Sequence, residues 1–328
     1  MKILVAFVSL LFLLVSAGAA DSQKLEKVRV TFASMGAIYY PHFIAVGKGY
    51  YREEGIEIEI IKAGGGVATP ALASGEVQFS TSSGSALAGI IRGLPLKVVY
   101  VNVDRPLYWI FTNRAEIKTI ADLKGKRLAI QSRGDTMELA ASQVLRKYGL
   151  DPVRDVIWMA VGTGANRLSA LQSGAVETAV LAFTDQLIAR QEALKLSEVA
   201  DLGKEVQMLY TGLAAPDRLL KERADLVRGF LRATVKGREF FKVHKEESLR
   251  IGEKYERQAS PEIGRADYDA TLQVMSPYGE EDLATQNKDI EASKNLLKVA
   301  VEVPPERVFD FSLVREVYQE LKAKGWRP

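Results

Sequence analysis

Short apolar runs alternate with helix-length amphipathic stretches along most of this chain. Residues 28–32 are the first apolar run, and the predicted strand gives way at Ala33-Ser34-Met35-Gly36 to a helix with Pro41 in its first turn, where a missing N–H costs little. Residues 56–61 then alternate Ile with Glu before a second Ile, the period of a strand with one wet face. Gly64-Gly65-Gly66 reads as a glycine loop opening a short helix that closes at Gly75. A strand over 77–81, a serine turn Ser82-Ser83-Gly84, a helix over 84–92 and a strand over 95–101 follow. Strands alternating with helices of roughly 10 to 15 residues predict βαβ units and a mostly parallel sheet.

After the apolar run 108–112 the order restarts. Thr119 reads as a helix cap, Gly125 as a stop and 127–131 as a strand, so that Arg29-Val30 matches Arg127-Leu128, Ser34 matches Ser132 and Gly36 matches Gly134. Residues 136–148 place Met137, Ala140, Ala141, Val144 and Tyr148 on one helical face, and a strand over 156–161 leads to a second glycine-bearing loop, Gly162-Thr163-Gly164. Ala71-Leu72-Ala73-Ser74-Gly75-Glu76-Val77 aligns with Ala170-Leu171-Gln172-Ser173-Gly174-Ala175-Val176. The matching order of several elements predicts an internal duplication and two half-sites. A further strand over 206–215 is followed only by helical stretches, over 223–244, 246–255, one opened by Ser260-Pro261, 282–300 and 312–322.

The chain has 328 residues, too many for one core, since single cores stop growing near ~250 to 300 residues. The predicted fold class is therefore α/β with two Rossmann-like lobes joined by a two-strand hinge. Lobe one takes residues 21–112 plus 211–328, with the helical segment packing back on it, lobe two takes 113–210, and the crossings fall at Thr112 and Tyr210. Residues 1–20 are excluded: basic Lys2, an apolar stretch over 3–15 and the small residues Ala17-Gly18-Ala19-Ala20 read as a signal peptide cut after Ala19 or Ala20. The stretch is shorter than the ~20 apolar residues of a membrane span. An exported protein, most simply periplasmic, is expected.

Composition narrows the chemistry. There is no cysteine, so no lipid-attachment site, disulfide or thiol chemistry is expected, and a formal net charge of +3 with interspersed signs gives no basic stripe for nucleic acid. The two histidines, His42 and His244, and the lack of spaced ligand clusters leave no metal site. His42 at a helix entry, with Ser34 near in sequence, is the one candidate for a catalyst, but no G-x-S-x-G elbow accompanies it. No Gly-Lys-Ser/Thr follows the glycine loop and no dinucleotide fingerprint is present, so no nucleotide cofactor is implied.

In a doubly wound sheet ligands lie beyond the carboxyl ends of the strands. The loops predicted there are Ser34-Met35-Gly36, Gly64-Gly65-Gly66 and Ser82-Ser83-Gly84 in one lobe, and Ser132-Arg133-Gly134-Asp135-Thr136, Thr163-Gly164-Ala165-Asn166 and Phe183-Thr184-Asp185 in the other. Their hydroxyls and glycines suit hydrogen bonding to a small molecule and supply no nucleophile and base. Tyr39, Tyr40, Tyr108, Trp109, Phe183 and Tyr210 are available as apolar walls. Arg133 and Arg105 favour an anion, helped by helix N-termini, whereas Asp135 and Asp185 argue the other way.

Tyr40-Pro41-His42-Phe43-Ile44-Ala45, Gly49-Tyr50-Tyr51-Arg52-Glu53-Glu54-Gly55-Ile56-Glu57-Ile58-Glu59, the Ala71 to Val77 motif, Gly93-Leu94-Pro95-Leu96-Lys97-Val98-Val99 and Asp122-Leu123-Lys124-Gly125-Lys126 together resemble one family. It is the nitrate/sulfonate/taurine and thiamine-precursor branch of ABC-importer solute-binding proteins (NitT/TauT, SsuA/THI5-like, NMT1-like). The resemblance implies a type II periplasmic-binding-protein fold that closes two lobes on a small-molecule ligand and delivers it to an ABC permease with a cytoplasmic ATPase. It also implies pocket contacts at Ser34, Tyr39, Ser82, Ser83, Gly84, Ser132, Gly134, Thr136, Asn166 and Asp185. Sulfonate binders of this family often carry a Trp-Glu-Pro-like turn where this chain has Phe183-Thr184-Asp185, and the related thiamine-pyrimidine synthases use a cysteine cluster that is absent here. The expectation is a monomeric, non-enzymatic binder of a small organic anion. A neutral pyrimidine binder, an enzyme using His42 and a ligand-sensing partner of a membrane receptor are the alternatives.

Overall fold

The computed structural model describes residues 25–255 and 260–328; the expected signal peptide lies outside the described residues. Val28, Val30 and Phe32 are fully buried along β1 (Glu26–Phe32), which pairs in parallel with β2 (Ile56–Lys62), Val28 opposite Ile58. The next strands are β3 (Phe79–Ser80), β4 (Leu96–Val103) and β5 (Tyr108–Thr112). The restart supplies β6 (Arg127–Ile130), β7 (Ile157–Ala160), β8 (Thr178–Ala182), β9 (Ser197–Asp201) and finally β10 (Thr211–Pro216).

Two five-stranded sheets result, ordered β2-β1-β3-β10-β4 and β7-β6-β8-β5-β9. The orders superimpose position by position, and in each sheet the antiparallel strand comes from the other half of the chain. Neither half of the duplication can complete its sheet alone. The exchange also moves one expected boundary: β5 hydrogen-bonds to β8 and β9, so the chain crosses to the second sheet through residues 104–107, before Thr112. Its apolar run suits either sheet equally, and only pairing decides between them.

Local structure repeats with the sequence. Gly75 and Gly174 end their helices at φ +84 and +74, in the left-handed region where glycine carries no Cβ penalty. The amide of Arg29 donates to Gln78 Oε1 at 2.9 Å, and that of Arg127 to Glu177 Oε2 at 2.9 Å. The Gly64-Gly65-Gly66 loop is mostly helix: Gly64 is the N-cap of Gly65–Ser74. A Cβ on Gly65 would lie 1.9 Å from Ser85 Oγ, and one on Gly164 1.8 Å from Asp185 Oδ1. Both glycines thus permit the same close approach of two helix N-termini.

The strand expected over 206–215 starts only at Thr211. Ahead of it Met208 N–H donates to the Asp104 carbonyl and Leu209 N–H to Asp289 Oδ2, so the second crossing is tied to the first crossing and to the helical segment. The polar run of β9 carries no apolar alternation and is legible only through its pairing with β5. The helical segment does more than cover lobe one. Ala224–Val243 packs on Tyr40–Gly47, while Pro261–Gln273 and Leu283–Leu297 touch helices of both lobes.

Candidate ligand cleft

Between the lobes, at the carboxyl ends of the strands, lies a cavity of about 40 Å³. Lobe one contributes Ala33, Tyr39, Gly65, Thr81, Ser82 and Ser85; lobe two contributes Tyr108, Gln131, Asp135 and Thr136; and Tyr210 and Thr211 arrive on the second crossing. The jaws touch beside it: a Cβ on Gly84 would lie 3.0 Å from Thr136 Oγ1, and one on Gly64 3.3 Å from Gln131 Nε2. A larger depression of about 560 Å³, lined by Arg146, Asp151, Arg154 and Lys298, shares no residue with these loops.

Three tyrosines converge on the cavity. The Tyr39 hydroxyl lies beside Ser34 and Thr81, and burial pushes it up to about 12. The Tyr108 and Tyr210 rings meet edge to face at 5.0 Å and 85°, and burial raises both hydroxyls well above the ordinary phenol range. Asp135 caps helix Thr136–Lys147, its Oδ1 accepting from Glu138 N–H at 2.9 Å and its Oδ2 from Ser132 N–H at 2.8 Å. Burial nevertheless raises its carboxyl above the usual range, against the pull of those two amides. Ser82 Oγ and Thr211 Oγ1 are buried and make no hydrogen bond, so the cavity wall holds unused polar capacity.

Of the residues singled out from sequence, Tyr39, Ser82, Tyr108, Asp135 and Thr136 line this cavity. Ser34 acts behind it through Tyr39, Ser83 is fully buried with an unpartnered hydroxyl, and Gly84 meets Thr136. Ser132 and Gly134 shape the loop by donating their amides to Asp135 and Glu138. Elsewhere, Met35 is in the core and Gly36 rests against Asp267. Thr163 caps Asn166 N–H, the exposed Asn166 amide donates to the Val161 carbonyl, and the Phe183 ring packs on Trp109. Asp185 is committed to Arg167, Nη2 to Oδ2 2.8 Å.

Sequence reasoning passed over Thr81, Ser85 and Gln131, although each flanks a loop it named. Thr211 had no local signal, because a crossing strand brings it in.

The positive charges sit elsewhere. Arg133 pairs with Glu138 at 2.9 Å and lies over the Trp158 ring, Arg105 is exposed, and among the described residues no Lys or Arg lines the cavity. His42 is in the core of lobe one, Nδ1 2.9 Å from the Tyr51 hydroxyl. Burial pushes it down to about 3, so the ring is neutral, and it does not border the cavity. Among the described residues no group of three or more His, Cys, Asp or Glu could hold a metal ion.

The NMT1/THI5 like family matches residues 37–248. This chain belongs to that family. Among sequence relatives, the riboflavin-binding protein RibY of Chloroflexus aurantiacus is 24% identical over 278 residues, covering 80% of this chain and 75% of RibY. The 4-amino-5-hydroxymethyl-2-methylpyrimidine phosphate synthase of Schizosaccharomyces pombe is 24% identical over 213 residues, 60% of this chain and 59% of the synthase. Among solved structures, a protein of Bordetella bronchiseptica RB50 matches with TM-score 0.78 at 20% identity, over 90% of this chain and 98% of its own. The alkanesulfonate-binding protein SsuA of Xanthomonas axonopodis pv. citri, bound to MOPS, matches with TM-score 0.67 at 19% identity, over 89% and 97%. The NMT1/THI5-like chain thus has the α/β periplasmic-binding-protein fold, related to ABC-importer solute-binding proteins.

Proposed function

We propose that this NMT1/THI5-like chain is the solute-binding component of an ABC importer, acting outside the cytoplasmic membrane as a monomer. It encloses a small, uncharged, hydrogen-bonding molecule of the nitrogen-heterocycle class between its lobes. The carrying observation is the cleft lining: three tyrosines, Thr81, Ser82, Ser85, Thr136, Thr211, Gln131 and Asp135, with no Lys or Arg among the described residues. Tyrosine faces suit a planar ring, and hydroxyl, amide and carboxyl groups suit ring nitrogens and exocyclic amines. The riboflavin-binding relative and the pyrimidine phosphate synthases point to the same ligand chemistry.

This departs from the organic anion favoured by the sequence, because Arg133 and Arg105 do not reach the cavity. An anion retains two supports: helices starting at Gly65, Ser83 and Thr136 aim their N-termini at the cleft, and SsuA is a fold neighbour. Binding without turnover is supported by the neutral, core-packed His42 and by the absence of cysteine. A cavity of about 40 Å³ is far below the ~300 to 1,000 Å³ of ordinary ligand pockets. The lobes must therefore part to admit ligand, turning about residues 104–107 and 206–210.

Thermal unfolding against pyrimidines, flavins, nitrate, sulfonates and carboxylates tests this. A ligand at ~100 times its dissociation constant adds about 2.7 kcal/mol. A shift confined to nitrate or sulfonates overturns the uncharged ligand, and chemical conversion of the bound compound overturns a binding role.

A further inference from the structure

The duplication exposes a difference between the jaws. Gly65 and Gly164 each open the helix that follows the second strand of a repeat, and each meets the third residue of the next helix, Ser85 in lobe one and Asp185 in lobe two. The fourth residue of the opening helix is Ala68 in lobe one and Arg167 in lobe two. Lobe one therefore carries a serine and an alanine at the positions where lobe two pairs a carboxylate with a guanidinium. Gly65 and Ser85 border the cavity; their counterparts by the repeat, Gly164 and Asp185, belong to the opposite jaw just outside its lining.

The Arg167 side chain is 3% exposed and that of Asp185 14%. Arg167 Nη2 donates to Asp185 Oδ2 at 2.8 Å, Nη1 donates to the Gly162 carbonyl, and Nε is buried without a partner. Asp185 Oδ2 also accepts from Ala182 N–H at 2.9 Å. A buried guanidinium needs a counter-anion, and here the chain carries its own. Arg167 is near enough to the cleft for its charge to favour the ionised forms of Tyr108 and Asp135, two cavity residues.

We propose that Asp185 is a specificity-determining residue that occupies, on Arg167, the place of a ligand's anionic group. The cleft consequently rejects anions, which would have to compete with a carboxylate already fixed by the fold and meet its repulsion. This rests on the uncharged-ligand reading above. Removing the carboxylate frees a guanidinium for a nitrate or sulfonate at the rim of lobe two.

The test measures Kd by calorimetry for methanesulfonate, nitrate and a neutral pyrimidine, at low ionic strength, with the full chain, D185N, D185S and the double variant R167Q/D185N. D185N keeps an acceptor for Ala182 N–H, and D185S copies lobe one; either suffices if the other fails to fold. A gain of one charge-assisted hydrogen bond predicts about tenfold tighter anion binding relative to the pyrimidine, lost again in the double variant. If the unmodified chain ignores anions and neither single variant gains them, the role of Asp185 is overturned while the uncharged-ligand reading stands. If the unmodified chain already binds anions as tightly as the variants, both fall. A gain that persists in R167Q/D185N also overturns the proposal, since Arg167 then plays no part.

Discussion

The rings of Tyr108 and Tyr210 pack edge to face, centroids 5.0 Å apart at 85°, where the two crossings between the lobes meet. Tyr108 begins β5 just after the first crossing, and Tyr210 ends the second crossing just before β10. Both rings line the cleft, so one contact joins the hinge to the ligand site. Y108F or Y210F removes a hydroxyl from the cleft wall, and with it a ligand hydrogen bond worth about 1 kcal/mol, and is expected to weaken ligand binding near fivefold. Calorimetric Kd values and urea midpoints of both variants check this; unchanged affinity in both removes the tyrosine pair from the site.

Closure has a separate steric test at Gly84, whose Cβ would sit 3.0 Å from Thr136 Oγ1 across the cleft. G84A is expected to destabilise the closed form by about 1 to 3 kcal/mol and to loosen ligand binding accordingly. Adding T136A removes the opposing atoms and restores most of the affinity. X-ray scattering of G84A with saturating ligand should show a larger radius of gyration than the unmodified chain.

The second crossing is gripped by a buried carboxylate, Asp289, which accepts from Leu209 N–H at 2.6 Å. Burial raises Asp289 to about 7, and Glu281 goes well above its ordinary value through burial and the neighbouring Asp289, Asp104 and Asp282. For carboxyls raised on folding, the associated stability is fully present below the unfolded values of 3.8 and 4.5. It is lost as pH rises through about 7 and beyond. The thermal midpoint should fall over that window, and D289N or E281Q should fall less and melt higher than the unmodified chain at about pH 8. Parallel curves for all three chains would refute the assignment.

The acid limb belongs to lobe two. Arg127 Nε donates to both oxygens of Glu177, at 3.2 and 3.0 Å, and this pairing holds the carboxyl down at about 2. The stability it supplies is present above the ordinary 4.5 and lost as pH falls through about 2. E177Q should flatten this limb of the midpoint curve while keeping the fold, because Gln78 already accepts the Arg29 amide in the other repeat. Solvent at the partly exposed Arg127 keeps the effect small.

Much of the scaffold was legible in the sequence, and particular residues show why. Val28, Val30 and Phe32 declare β1 through burial at period two, and Asp282 and Ser260 announce their helices as N-caps whose side chains accept from Thr285 and Ile263 amides. The motif at Ala71 to Val77 repeats because a helix closed by a left-handed glycine before a strand is written within seven residues. Less of the cleft was legible. Ser82, Asp135 and Thr136 sit on predicted strand-end loops and Tyr39 and Tyr108 were expected as walls beside them, yet Arg133, Thr163 and Asn166 sit on such loops too and spend their side chains on Glu138, Asn166 N–H and the Val161 carbonyl.

Periodicity, caps and glycine stops are local, and for that reason the sequence by itself determined most of the elements, their duplication and the neighbourhood of the cleft, though not β9. Tertiary structure alone decided the exchange of β5 and β10 between the sheets, because strand partners are chosen by pairing across about a hundred residues. It also decided the electrostatics of the site. An arginine in a loop carries the same charge wherever it points, and only packing turned Arg133 towards Glu138 and Trp158 and buried Arg167 against Asp185, leaving hydroxyl, amide and carboxyl groups to line the cleft.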